Sequence, residues 1–292
     1  MSVSEYFSQF CSNLRMSDST VSTIQQRYKQ ITKRINQDYW NSTSDTSHSL
    51  YVGSYGRGTE IWTSDIDVIV QLPYATYQKF NNYSGNGQSA LLQEVKGVLQ
   101  KTYSNSYIKG DGQVVGINFS DGNSFEIVPA FINDDNSYTY PDTNNGGSWR
   151  QTDPRKEIDA MNSRNNSTNK NLKRLCRMAR AWKNHCDVGM SGILIDTLAY
   201  KFIGDWENKD KSYLYYDWMS RDFFKYLKDI DKDQNYWLAP GSNRYVWKDK
   251  NFQNKAATAH DNALLAIEYE SKNRTSSAKL TWRKIYGTKF PS

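Results

Sequence analysis

A chain of 292 residues can bury a substantial core, and its 37% hydrophobic content with nine Trp and 21 Tyr excludes a disordered polymer. Its net charge of +6 suits an acidic small-molecule partner but is too mild to coat a nucleic acid. Cys11, Cys176 and Cys186 show neither metal-ligand spacing nor an even framework, and no run of about 18 apolar residues or signal-peptide pattern is present, so a soluble cytoplasmic protein with no membrane partner is expected.

The first predicted element is a helix carrying Val3, Tyr6, Phe7, Phe10 and Leu14 on one face. Ser17 and Asp18 are capping residues for a second helix. Its stripe of Val21, Ile24, Tyr28, Ile31 and Ile35 runs to about Trp40. Such a helix spans roughly 30 Å, the length of a small domain. A polar run from Asn41 to Ser49 ends it.

Next comes YVGSYGRGTEIWTSDIDVIVQL, from Tyr51 to Leu72. Gly53, Ser54, Gly56 and Gly58 predict a turn of small residues. The run from Asp65 to Leu72 alternates as a strand, with Ile66, Val68, Val70 and Leu72 on one face and Asp65, Asp67, Ile69 and Gln71 on the other. The two carboxylates share a face about 7 Å apart at their Cα atoms. Like charges held together raise one another's pKa or are bridged by a cation. Mg²⁺ or Mn²⁺ suits such a cluster, and Mg²⁺ fills its shell with water and substrate phosphates. Exposed backbone N–H groups and a hydroxyl in the upstream turn suit a triphosphate. The plainer alternative is a hairpin with two solvated aspartates on an edge strand.

A helix is predicted around Leu91, Leu92, Val95 and Leu99. Val114 to Phe119 and Ser124 to Phe131 form a hairpin about Ser-Asp-Gly-Asn. Glu126, the one carboxylate of that second strand, is either an edge gatekeeper or a third metal ligand. Residues 134–153 read as a surface loop anchored by Trp149. Beyond Pro154 most of the chain is helical. From about Asn169 to Cys186, Leu172, Leu175, Cys176, Met178, Ala179 and Trp182 make an apolar arc beside a basic arc of Lys173, Arg177 and Arg180. That basic arc is either a solvated face or a phosphate contact. Ser191 opens the next helix, as an ordinary cap or a nucleotide contact. Another helix is predicted around Trp218 to Leu227, a loop over Tyr236 to Trp247, a helix over Ala256 to Glu270 and a basic, aromatic tail from Trp282 to Phe290.

Gly53-Ser54, then Asp65-Ile66-Asp67, then Glu126-Ile127-Val128-Pro129-Ala130-Phe131 resemble the nucleotidyltransferase fold of polymerase β. More closely they resemble the branch of 2′-5′-oligoadenylate synthetase, cyclic GMP–AMP synthase and the bacterial SMODS or CD-NTase enzymes, which make cyclic oligonucleotides. NLKRLCRMARAWKNH, SGILIDTLAYKFI and WRKIYGTKFP extend the likeness over nearly the whole chain. The resemblance implies an α+β fold: a mixed-sheet core with flanking helices, a C-terminal helical lobe, and a long N-terminal spine helix joining them. The corresponding parts are residues 1–47, 48–153 and 154–292. It implies a metal triad of Asp65, Asp67 and Glu126, donor-triphosphate contacts from Gly53 and Ser54, phosphate contacts from Arg177 and Arg180, and a nucleotide contact from Ser191. The third carboxylate is often Asp in the family and is Glu here, long enough still to reach a metal. No Cys/His insertion resembles the zinc module with which the animal synthase grips DNA, so activation by DNA is not expected.

The chemistry so implied uses two Mg²⁺ ions, with Mn²⁺ as a substitute, and ATP, GTP or other NTPs. A ribose hydroxyl attacks an α-phosphorus, pyrophosphate leaves, and a second round closes a ring. A monomeric cyclic di- or trinucleotide synthase is expected, its product read by a downstream effector in bacterial antiphage (CBASS-type) defence. Two alternatives are the same chemistry on linear oligonucleotides, RNA or a small molecule, and a non-catalytic nucleotide sensor.

Overall fold

The computed structural model describes residues 2–62 and 65–292, so Thr63 and Ser64 of the Tyr51–Leu72 stretch lie outside the described residues. The chain forms two units. One comprises residues 16–57 and 63–155, and the other residues 1–15, 58–62 and 156–292.

The first unit is built on a seven-stranded mixed sheet. β1 (Ser49–Tyr51) pairs antiparallel with β2 (Asp65–Gln71), and β2 lies parallel to β5 (Ser124–Ile132). β4 (Val114–Asn118) and β3 (Tyr107–Asp111) continue the sheet antiparallel from β5. β6 (Tyr138–Asp142) pairs with the end of β5, and β7 (Ser148–Thr152) with β6. Alternation on β2 works as the sequence requires: Ile66, Val68 and Val70 are fully buried, whereas Asp65 is exposed and Asp67 half-buried. The buried set packs with Ile24, Ile31 and Ile35 of the long helix and with Leu91, Leu92, Val95 and Leu99 of a second one. In the order of the whole chain that long helix is the second, α2 (Asp18–Tyr39), capped by the Ser17 hydroxyl, which accepts from the Thr20 amide.

α1 (Val3–Asn13) belongs to the other unit and starts in a capping box of Ser2 and Glu5. In the first unit, α3 (Gly53–Arg57), α4 (Tyr74–Asn81) and α5 (Gly87–Gln100) follow α2. The glycine-rich stretch predicted as a turn is therefore a short helix. The Val52 carbonyl accepts from the Gly56 amide, which closes its turn.

The other unit holds α6 (Pro154–Ser167, from Lys156 onward), α7 (Asn171–His185), α8 (Gly192–Asp205), α9 (Tyr216–Asp229), α10 (Gln253–Ser271) and α11 (Thr275–Tyr286), with a small hairpin of β8 (Tyr236–Leu238) and β9 (Tyr245–Trp247). Its core is aromatic: Phe7 and Phe10 of α1 pack with Tyr216, Trp282, Tyr286 and Phe290. Three predicted irregular stretches are thus ordered elements. Residues 134–153 contain β6 and β7, Tyr236 to Trp247 is a hairpin, and the terminal segment begins inside α11. The α+β class, the mixed sheet with flanking helices and the long N-terminal helix are as the sequence predicts.

Candidate functional site

The parallel register of β2 on β5 sets Asp67 directly opposite Glu126 and Asp65 opposite Ser124. Side chains across a strand pair point to the same face, so two carboxylates face one another and the third stands two residues along. The Ser124 hydroxyl donates to Asp65 Oδ1 at 2.6 Å. Glu126 is exposed. Asp67 is the buried member, and its carboxyl is pushed up to about 6. Burial is the main cause, Glu126 and Asp65 add repulsion, and the Arg57 guanidinium opposes them.

The backbone fixes this arrangement from the other side. The Val52 amide donates to the Asp67 carbonyl at 2.9 Å, which delivers the chain into α3 directly beneath the aspartate. Gly53, the first residue of α3, has φ +59°. A Cβ there would lie 1.7 Å from Asp67 Oδ2, so any side chain at residue 53 would occupy the aspartate's place. Ser54 follows on the same helix and is half-buried. Arg57, at the end of α3, is buried. The sequence motifs do not include this arginine. Its one signal was a lone charge inside a run of glycines and small residues.

Oxygen donors of this kind match a hard divalent cation, and the repulsion that Glu126 and Asp65 add at Asp67, beside the larger effect of burial, is charge such a cation would neutralise. Among the described residues, no group of three or more His, Cys, Asp or Glu side chains is already arranged to hold a metal ion. The donor set fits the group in chemical type and strand position.

The other predicted residues belong to the helical unit. Arg177 Nε donates to the Glu60 carbonyl at 3.0 Å and its Nη2 to the Gly58 carbonyl at 2.7 Å, with Glu60 Oε1 at 3.3 Å. Arg180 is buried and bidentate to Asp196, at 2.5 and 2.9 Å, and also donates to the Gly192 carbonyl. Ser191 caps α8, its hydroxyl accepting from the Leu194 amide at 3.4 Å.

Residues 1–165 match the Second Messenger Oligonucleotide or Dinucleotide Synthetase (SMODS) domain. The chain belongs to this family. A curated relative of this SMODS chain, the "Probable cyclic nucleotide synthase IK1_05630" of Bacillus cereus strain VD146, is 29% identical over 178 residues, covering 58% of the chain and 52% of the relative. The chain thus spans about half the length of the curated relative it matches. Among solved structures, E. coli MS115-1 CdnC with ATP superposes with a TM-score of 0.71 at 17% identity, covering 99% of both chains. Vibrio cholerae DncV, a cyclic AMP-GMP synthase in complex with the linear intermediate 5′ pppA(3′,5′)pG, superposes at 0.72 with 12% identity, covering 100% of this chain and 97% of its own. Bradyrhizobium diazoefficiens CdnG with GTP superposes at 0.68 with 9% identity, covering 97% and 94%. At these identities the likeness is one of fold, and it covers 97–100% of the chain.

Proposed function

We propose that this SMODS chain joins nucleoside triphosphates into a cyclic di- or trinucleotide second messenger by metal-dependent nucleotidyl transfer. The observation that carries the reading is the pairing of Asp67 with Glu126 across parallel strands, with Asp65 two residues on and Gly53 pressed against Asp67. The nucleotides held by its structural relatives support NTPs as substrates.

Asp65, Asp67 and Glu126 would hold two Mg²⁺ ions, or Mn²⁺ in their place. When bound, such ions acidify an acceptor hydroxyl and neutralise a donor triphosphate. Gly53 and Ser54 receive the donor phosphates, the glycine by leaving its backbone uncovered and the serine by its hydroxyl. A ribose oxygen of the acceptor forms a bond to the donor α-phosphorus as the bond to the β-phosphate oxygen breaks, and pyrophosphate departs. Glu126 takes up the proton of the attacking hydroxyl. Arg57 limits the charge accumulated around Asp67. The chain's contribution is mainly positioning and electrostatics. A second transfer within the linear intermediate closes the ring.

Phosphate contacts by Arg177 and Arg180 and a nucleotide contact by Ser191 belong to the same proposal. For Arg180 a phosphate would have to exchange with Asp196. The wider assignment is a cytoplasmic bacterial monomer, independent of DNA, whose product is read by an antiphage effector.

The test is incubation with mixed NTPs and Mg²⁺, phosphatase digestion and mass spectrometry. A phosphatase-resistant product of ring mass is expected, and Asp67→Asn should lower its yield by about 100-fold or more with the fold intact. Products with free phosphate ends would favour linear-oligonucleotide, RNA or small-molecule transfer instead. Absence of turnover would favour a sensor, and full activity in the Asn variant would refute the site.

A further inference from the structure

The helical unit contains a polar cavity of about 250 Å³ that shares one residue, Arg177, with the chemistry proposed above. α1 supplies Ser8, Ser12 and the flanking Arg15, α7 supplies Arg174 and Arg177, and Tyr213 closes the side. Three guanidinium groups therefore line one small space, and among the described residues no carboxylate lines it.

Their hydrogen bonds leave specific capacity over. Arg174 makes all of its bonds through Nη1, to the Asn169 carbonyl, Asn171 Oδ1 and the Tyr216 hydroxyl at 3.2, 3.5 and 3.2 Å. Its Nε and Nη2, the edge that binds an oxyanion with two parallel bonds, have no protein partner among the described residues. The guanidinium stacks over the Tyr213 ring, 4.8 Å from its centroid, which holds its plane in place. Among the described residues Arg177 has one carboxylate neighbour, Glu60, outside the cavity lining, and its Nη1 makes no hydrogen bond. Arg15, one residue beyond the α1 C-cap, is exposed and makes no side-chain hydrogen bond or ion pair among the described residues.

Partly buried cations without counter-ions are costly unless something else supplies the charge. The C-terminal end of α1 offers only about half a negative charge, and screened at that. Three guanidinium groups against one carboxylate leave a net positive site. Arg174 covers a face of Tyr213, so that ring is not open to a stacked base on that side. The requirement is for a compact, multivalent oxyanion that takes forked donors and hydroxyls.

We propose that Arg15 and Arg174, with Arg177 and the hydroxyls of Ser8 and Ser12, form a phosphate-binding site within the helical unit, for free phosphate or pyrophosphate or the phosphate end of a small metabolite. It is carried by residues of the helical unit alone and does not rest on the catalytic proposal.

The test is calorimetric titration of the full chain with inorganic pyrophosphate in EDTA, where the carboxylate site has no cation to attract it. One saturable site is expected in the wild type and in Asp67→Asn. Arg15→Ala, an exposed change, should weaken binding about tenfold or more with unchanged thermal stability, since it removes charge-assisted hydrogen bonds to the anion. Arg174→Lys keeps the charge but loses the fork, and should weaken binding about as much. Orthophosphate and a nucleoside monophosphate, titrated in parallel, distinguish a free ion from a phosphate end by whichever binds tighter. No saturable binding, binding unchanged in both arginine variants, or binding abolished by Asp67→Asn would each overturn the proposal.

Discussion

Gly53 is the residue on which the carboxylate site turns. Its hydrogen sits where any larger group would displace Asp67 Oδ2, and its φ of +59° already disfavours a side chain. Gly53→Ala should therefore lower product formation by about 100-fold, the usual consequence of moving a reacting group by an ångström. The melting temperature should fall by only a few degrees, because β2 and its buried valines are untouched. Wild-type activity in this variant would mean that Asp67 has room to move and that the proposed constraint is unimportant. Arg57 makes a second case. Its charge opposes the rise in the Asp67 pKa, so Arg57→Met should push that carboxyl above its value of about 6, as read by carbon NMR of labelled aspartate. A downward or absent shift would show that Arg57 is electrostatically idle. Alternation alone sufficed to find Asp65 and Asp67 on one face. The steric role of Gly53 was not legible, because it depends on the return of β2 over α3 after an intervening loop.

At the scale of elements, α7 and α8 are tied by a buried ion pair. Asp196 is fully buried and accepts from both Arg180 Nη atoms and from the Thr59 hydroxyl at 2.8 Å. Removing one partner strands the other without solvent. Arg180→Met should cost about 3–5 kcal/mol in urea unfolding, and adding Asp196→Leu should restore much of it. If the single variant is as stable as the wild type, Arg180 is available for a ligand. A loss of activity on substituting Arg180 therefore needs a stability measurement beside it. The basic arc of α7 was legible from 3.6-residue spacing, but Arg180 and Arg177 share that arc and differ in their partners. The hairpins of β6 with β7 and β8 with β9 were not legible. Their strands are five and three residues long and carry Pro141 and exposed aromatics such as Tyr236, Tyr245 and Trp247, so no long alternation marks them. Arg150 reaches back to the buried Asp142 across the β6–β7 pair, a contact within the hairpin that composition alone does not predict.

The whole molecule assembles its second unit from three separate stretches of chain, and one buried carboxyl cluster depends on that assembly. Asp217 on α9 is influenced by Glu270 on α10, which accepts from the Trp282 indole of α11 at 2.8 Å and from the Tyr6 hydroxyl of α1. No local pattern in the sequence brings residues 6, 217, 270 and 282 together; only the aromatic core does so. Among the described residues Asp217 Oδ1 has no hydrogen-bond partner, and burial, with Glu270 repulsion added, pushes the carboxyl up to about 7 from 3.8. Between those two values the native state holds a proton that the unfolded chain releases. Stability is therefore full below about pH 4 with respect to this group and declines as pH rises toward 7. The decline from this one group is at most about 4 kcal/mol. Urea unfolding of the wild type at pH 5 and pH 8 should show the lower stability at pH 8. Asp217→Asn, which cannot ionise, should narrow that difference by most of this amount. An unchanged pH dependence in the variant would mean that Asp217 ionises in the native state as freely as in water, and that the four helices meet around an already charged carboxylate.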